Sequence, residues 1–282
     1  MDHRTLSWIK ISVFHLALCG ILPVIAQNGA PPLAGAKSAA MGGAGVALTD
    51  IHAAFSNQAG LAFLPETSVL AAAERRFLLE DLQTFSLAAA YPAGRSGTFG
   101  VTLHYFGFEV YNEKRIGLIY ARSLIEDRLA IGAQFLFLNT QIQEYGSKGN
   151  VTFELGLTSK VNSQVSIGVH VFSPARVELV NQEFLPTVFN IGVGYMPSEK
   201  VTFLLEAEKD IDYPIRARAG LEYFVVKQLA IRIGAATNPT LLSFGVGLQL
   251  ESGLGIDLST YYHQWLGFTP GFSLRYTIGR KS

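Results

Sequence analysis

Arg128-Leu-Ala-Ile-Gly-Ala-Gln-Phe-Leu-Phe-Leu-Asn139 sorts its residues onto two faces. Leu129, Ile131, Ala133, Phe135 and Phe137 fall on one, and Ala130, Gly132, Gln134, Leu136 and Leu138 on the other. Successive strand side chains point to opposite faces, so a period of two marks a two-faced strand. A strand of about ten residues crosses a bilayer when tilted. Similar runs recur between residues 68 and 280, about fourteen in all, an even number as in bacterial outer-membrane barrels. The repetition predicts an all-β fold, a transmembrane antiparallel up-and-down β-barrel.

Composition agrees. Of 282 residues, 49% are hydrophobic and only 16% charged, with a mean hydropathy of +0.28. A soluble domain carries nearer a quarter of charged residues. After the first thirty residues no apolar run is long enough for a membrane helix, which leaves the closed barrel as the structure that satisfies every backbone polar group in lipid. A soluble sandwich or lipocalin-like barrel would also alternate. It would not need so many long strands with Tyr91, Tyr105, Tyr120, Tyr195, Tyr213, Tyr223, Tyr261, Trp265 and Tyr276 gathered near their ends, as interfacial girdles require.

Residues 1–26 read as a signal peptide. Arg4 and Lys10 are its basic start, an apolar core follows, and Val24-Ile25-Ala26 is a small-residue cleavage site. Cys19, the only cysteine, lies inside it, so the mature chain has neither disulfides nor thiolate chemistry. Leu18 before it is too bulky for a lipoprotein site. Removal of this segment leaves 20 basic and 21 acidic residues, no footprint for nucleic acid. Residues 27–67 lack strand alternation and form an expected hatch or plug, with a helical turn near 50–55 capped by Asp50. Residues 68–282 are the expected barrel. Short and longer connections alternate along it, which places both termini on the periplasmic side of a bacterial outer membrane.

With the apolar face turned to lipid, the charges fall inward. Glu74, Glu154, Glu206, Glu208, Glu222 and Asp257 are the acids; Arg76, Arg115, Lys160, Arg216, Arg218, Arg232 and Arg275 are the bases. Glu206 and Glu208 neighbour Arg216 and Arg218 across a hairpin, and closure is expected to bring Arg275 beside Glu74 and Arg76. Paired charges would brace the lumen, since buried charges are normally paired. Many glycines share this inner face, where they permit tight curvature.

No enzyme is read here. Gly43-Ala44-Gly45 lacks the strand and third glycine of a nucleotide loop. His52, His104, His170 and His263 are dispersed without metal-ligand spacing. There is no Gly-x-Ser-x-Gly elbow. No catalytic, cofactor or metal residues are assigned, and no cofactor is expected.

The run Gly35-Ala36-Lys37-Ser38-Ala39-Ala40-Met41-Gly42-Gly43-Ala44-Gly45-Val46-Ala47 resembles the opening motif of the FadL-like outer-membrane barrels. These include long-chain fatty acid transporters and the PorV/PorQ-type proteins of type IX secretion. Their Asn-Pro-Ala-Gly motif reads Asn57-Gln58-Ala59-Gly60 here. The resemblance covers residues 35–64, with Gly35, Ala36, Met41, Gly42, Gly43, Gly45, Asn57, Ala59 and Gly60 as hatch positions. It implies a fourteen-stranded barrel with the N-terminal segment folded inward. Modest loops favour the PorV/PorQ-like branch, an accessory or partner-binding component of protein secretion. The other branch implies a transporter of fatty acids or other small hydrophobic molecules, with an apolar pocket near the hatch at Phe55, Leu61, Phe63 and Phe106. The expected partners are outer-membrane lipids and either secretion-system envelope proteins or a hydrophobic small molecule.

Overall fold

The computed structural model describes residues 35–125, 128–180 and 183–279. The expected signal peptide and Cys19 lie outside them.

Fourteen antiparallel strands close into a barrel, each paired with its sequence neighbour around the wall. They are β1 (Thr67–Arg75), β2 (Gln83–Pro92), β3 (Thr98–Gly107), β4 (Tyr111–Ile125), β5 (Leu129–Ile142), β6 (Gly146–Lys160) and β7 (Val165–Phe172). The series continues after a loop with β10 (Val188–Ser198), β11 (Val201–Asp210), β12 (Arg216–Val226), β13 (Leu229–Ala236), β14 (Leu241–Gln249), β15 (Leu254–His263) and β16 (Gly267–Ile278). Between β7 and β10 the loop folds a small hairpin of β8 (Glu178–Val180) and β9 (Glu183–Phe184). Closure pairs β1 with β16, from Thr67 opposite Ile278 to Glu74 opposite Gly271.

On β5 the alternation has its expected effect. Ile131, Phe135 and Phe137 are exposed outward, and Gln134, Leu136 and Leu138 are buried inward. Tyr91, Tyr120, Tyr195, Tyr223 and Tyr276 all face outward near the end that carries Thr67 and Ile278. That row is the geometry of an interfacial belt. Tyr261, expected in a girdle, instead faces the lumen and donates to Glu74 at 3.2 Å.

β1 stops at Arg75, because residues 76–78 form a 3-10 turn with Phe77 and Leu78 at positive φ. Residues 140–150 are mostly strand. The β5–β6 ladder runs out to Ile142 opposite Gly146, so polar residues here extend a hairpin. Register slips in the wall occur at Ser123/Ile125, Tyr195/Ser198 and Phe224/Val226. All three are at the turn end that holds the termini. The β6–β7 ladder runs only from Glu154 opposite Phe172 to Lys160 opposite Ser166, and at mid-height the described ladder is continuous.

The hatch is helix α1 (Ala36–Ala40), a bent run, and two 3-10 turns, Ile51–Phe55 and Gln58–Phe63. Asp50 caps the first turn by accepting from the His52 amide at 3.0 Å, and Asn57 caps the second. Neither turn is long enough to be stable alone, so the barrel interior must hold them.

Candidate functional site

The hatch touches the wall all the way round. Helix α1 packs on β13 to β16, the first turn on β1 to β3, and the second on β4 to β6. Between them Met41 meets β12 at Gly220, and Val46 meets β7 and β10 at Gly168 and Gly192. On β11, Glu206 accepts from the amides of Gly45 at 2.7 Å and Val46 at 2.9 Å. Ser243 on β14 accepts from Gly42 N–H at 2.8 Å and donates to the Ala40 carbonyl at 2.9 Å. Arg218 donates to the Gly43 carbonyl at 3.0 Å.

Glycine makes that contact possible. Gly132 and Gly156 face each other across β5 and β6, and a Cβ on either would strike Asn57, Gln58 or Ala59. Gly168 with Gly192, and Gly220 with Gly234, are two further cross-strand pairs pressed against hatch residues 41–47. Their smallness therefore seats the hatch backbone, a tighter demand than curvature alone.

Asn57, fully buried, donates to the Val46 carbonyl at 2.8 Å, the Leu157 carbonyl at 3.1 Å and Thr158 Oγ1 at 3.0 Å. Gln58 stands where the resembling families carry proline. Its amide donates to Gln134 Oε1 at 2.8 Å and to Glu154, bonds that proline lacks the groups to make.

The inward charges pair locally. Arg76 reaches Glu74 at 3.0 Å, and Arg115 reaches Glu113 at 3.0 Å. His170 lies 3.0 Å from Glu154. Arg218 bonds Glu206 and Glu208, and Arg216 bonds Glu208 at 3.4 Å. Arg232 bridges Glu222 at 2.6 Å and Asp257 at 2.7 Å. Arg275 departs from expectation: the register sets it opposite Leu70, four residues from Glu74, and its guanidinium lies over Gly255. Sequence reasoning missed Lys37, which binds Asp50 at 2.9 Å and Glu222 at 3.6 Å. The signal was present, since Lys37 and Asp50 are the only charges in the apolar stretch 35–64. Burial alone would lower the Lys37 ammonium, but Asp50 and then Glu222 outweigh it and push it up. Burial would likewise raise the Asp50 carboxyl, and Lys37 and then His52 outweigh it and hold it well below the usual range.

The expected apolar pocket does not form as a unit. Leu61 is fully buried in a cluster with Ile51, Leu64, Leu70 and Ile119, against which Phe55 packs. Phe63 lies under the Lys160 ammonium at 4.0 Å, and Phe106 under the Arg76 guanidinium at 5.0 Å. Solid packing and separate cations keep the four apart. The open space is elsewhere. Above the hatch, at the end of the longer loops, a cavity of about 260 Å³ is bounded by Gly42, Phe77, Arg216, Arg218, Leu241 and Tyr261. Below it, among the short turns, a mouth of about 500 Å³ is bounded by Lys200, Phe224, Gln228, Gln249 and Leu250. The other half of the loop end is closed. There Leu185 of the 173–187 loop packs on Leu136, Leu138, Phe172 and Val188.

Ser86 hydrogen-bonds His104 at 2.8 Å, but Arg115 stands opposite that histidine where a hydrolytic triad needs an acid. Among the described residues no cluster could hold a metal ion.

No family model and no curated protein matches this chain. Solved structures do match it. The Ralstonia pickettii toluene transporter TbuX superposes with a TM-score of 0.66 over 90% of this chain and 100% of that chain, at 14% identity. The P. putida toluene transporter TodX gives 0.65 over 90% and 99%, at 13% identity. A Pseudomonas aeruginosa FadL homologue gives 0.58 over 86% and 98%, at 13% identity. The chain shares the fold of these barrels. The sequence-based preference for the PorV/PorQ-type branch gains no support from them.

Proposed function

We propose that this protein is a non-enzymatic bacterial outer-membrane barrel that admits small hydrophobic or amphipathic molecules. In this reading residues 1–26 direct export, residues 27–67 are the hatch, and both termini are periplasmic. The observation that carries it is the outer cavity, which opens at the loop end and has hatch residues for its floor. Phe77, Val188, Pro239 and Leu241 give it an apolar side, and Arg76, Arg216 and Arg218 with Glu208 a charged one, suited to a short amphipathic chain whose head group meets the arginines. Support comes also from the likeness in fold to barrels described as toluene transporters and a monoaromatic hydrocarbon channel. The reading that the modest loops favoured, a secretion accessory, has no comparable observation behind it.

Titration of octanoate into the protein in lipid nanodiscs tests the reading. Saturable binding is expected, abolished by Leu241→Arg, with the folded barrel retained on unheated gels. Octanoate that binds no more than to empty nanodiscs would sink it.

A further inference from the structure

The outer cavity and the inner mouth lie in one sector of the barrel, and β12 and β14 line both. On β12, Arg218 borders the outer cavity and Phe224 the inner mouth, and only Gly220 and Glu222 face inward between them. On β14, Ser243 is above and Gln249 below, with only Gly245 and Gly247 between. Six residues of strand span roughly 20 Å. Two thin layers fill that interval. The first is hatch backbone, residues 40–42, resting on Gly220, Gly234 and Gly245. The second is the ion cluster of Glu222, Arg232 and Asp257, with the Arg232 guanidinium lying over Gly247. Lys37 joins the layers, since it belongs to the hatch and reaches Glu222.

We infer that molecules taken into the outer cavity cross the barrel along its axis, down this glycine lane, and leave through the inner mouth. The inference rests on the reading above. Its physical ground is threefold. At mid-height the described wall offers no lateral break, because its register slips sit at the turn ends. Movement of residues 36–43 would uncover a lane without side chains at Gly220, Gly234 and Gly245 and would withdraw Lys37 from the ion layer below it. The bonds that hold this segment are few and polar: Ser273 to the Ala36 amide at 3.2 Å, Ser243 to Ala40 and Gly42, Arg218 to Gly43, and the Lys37 pairs. Lys37 is thus a positioning residue for the gate, and Phe224 and Gln249 border the exit.

Octanesulfonate separates the axial route from a lateral one. It stays anionic, so a molecule delivered sideways into the outer leaflet does not reach the vesicle interior. Wild-type proteoliposomes are expected to accumulate it inside, above protein-free vesicles. Gln228→Trp with Gln249→Trp fills the solvent-facing inner mouth and should abolish accumulation while octanoate binding in nanodiscs persists. Lys37→Gln should speed accumulation severalfold. If octanoate binds but wild type accumulates no octanesulfonate, or if the filled mouth leaves accumulation unchanged, the axial route is overturned and the reading above stands. If octanoate fails to bind at all, the reading falls and the route with it.

Discussion

Glu206 shows how one wall residue can hold a segment of the hatch. Its carboxylate accepts from two successive hatch amides and from Asn190 at 2.8 Å, while Arg218 balances its charge. Asn57 acts from the other side, as a hatch residue bonded to the wall. Asn57→Ala removes these bonds and leaves Thr158 and two carbonyls without their donor. It should cost about 2–3 kcal/mol, since each lost buried bond costs about 1 kcal/mol or more. A fall in the guanidinium midpoint of the heat-modifiable gel band would show it. Gly168→Val puts a branched side chain where the Val46 carbonyl sits, at a site closed by backbone on both sides. The hatch should dislodge, and trypsin should then cut at Lys37 in intact proteoliposomes that protect it in wild type. Continued protection would mean that the hatch seat tolerates bulk. At this scale the sequence marked Asn57, Ala59 and Gly60 through a motif, while the isolation of Lys37 and Asp50 was a signal that the reading missed. It gave no sign that Gln58 pairs with Gln134 and Glu154, because partners 76 and 96 residues away leave no local trace.

The hatch is an element with almost no structure of its own, and its Lys37–Asp50 bond gives it a pH range. Asp50 is held low, so its contribution is present above the usual aspartate value of about 3.9 and is lost as pH falls through the lowered value. Lys37 is pushed up, so its contribution is present below the usual lysine value of about 10.4 and is lost only as pH rises past the raised one. Trypsin protection at Lys37 should therefore be flat from about pH 7 to 9, and planar-bilayer leak flat from about pH 5 to 9. A leak that rises between about pH 7 and 5 would show that another group controls the hatch. The 173–187 loop is the second insert. Leu185→Glu would bury a charge in the apolar cluster beneath it. It should open that half of the outer mouth, read as new access of a bulky thiol reagent to a cysteine placed at Leu138. The strand pattern hid this cap, since a loop that folds inward looks like any other loop until its apolar residues find Leu136 and Phe172.

For the whole molecule, the consequence is a filled lumen. Hatch backbone, paired charges and the loop cap fill the lumen, and the hatch separates the cavity at the loop end from the mouth among the turns. Wild type should show no steady conductance in planar bilayers, and removal of residues 35–64 should give a permanently conducting barrel. A conducting wild type would contradict the packing described above. The barrel itself was legible from the sequence. A period of two over strands of about ten residues is a local property, and in lipid only closure satisfies every backbone group. The inward placement of the charges followed from the same periodicity. Their partners did not, because Arg275 ends opposite Leu70 and Lys37 reaches Glu222 only through register and hatch path. The four residues expected to share one apolar pocket are separated for the same reason. Phe55, Leu61 and Phe63 belong to the hatch and Phe106 to β3, yet two pack into a core and two lie under separate cations. The sequence by itself determined a two-faced wall and a non-strand segment to fill it. Only the tertiary structure decided where that segment rests and which space it leaves open, because those follow from contacts between residues far apart in the chain.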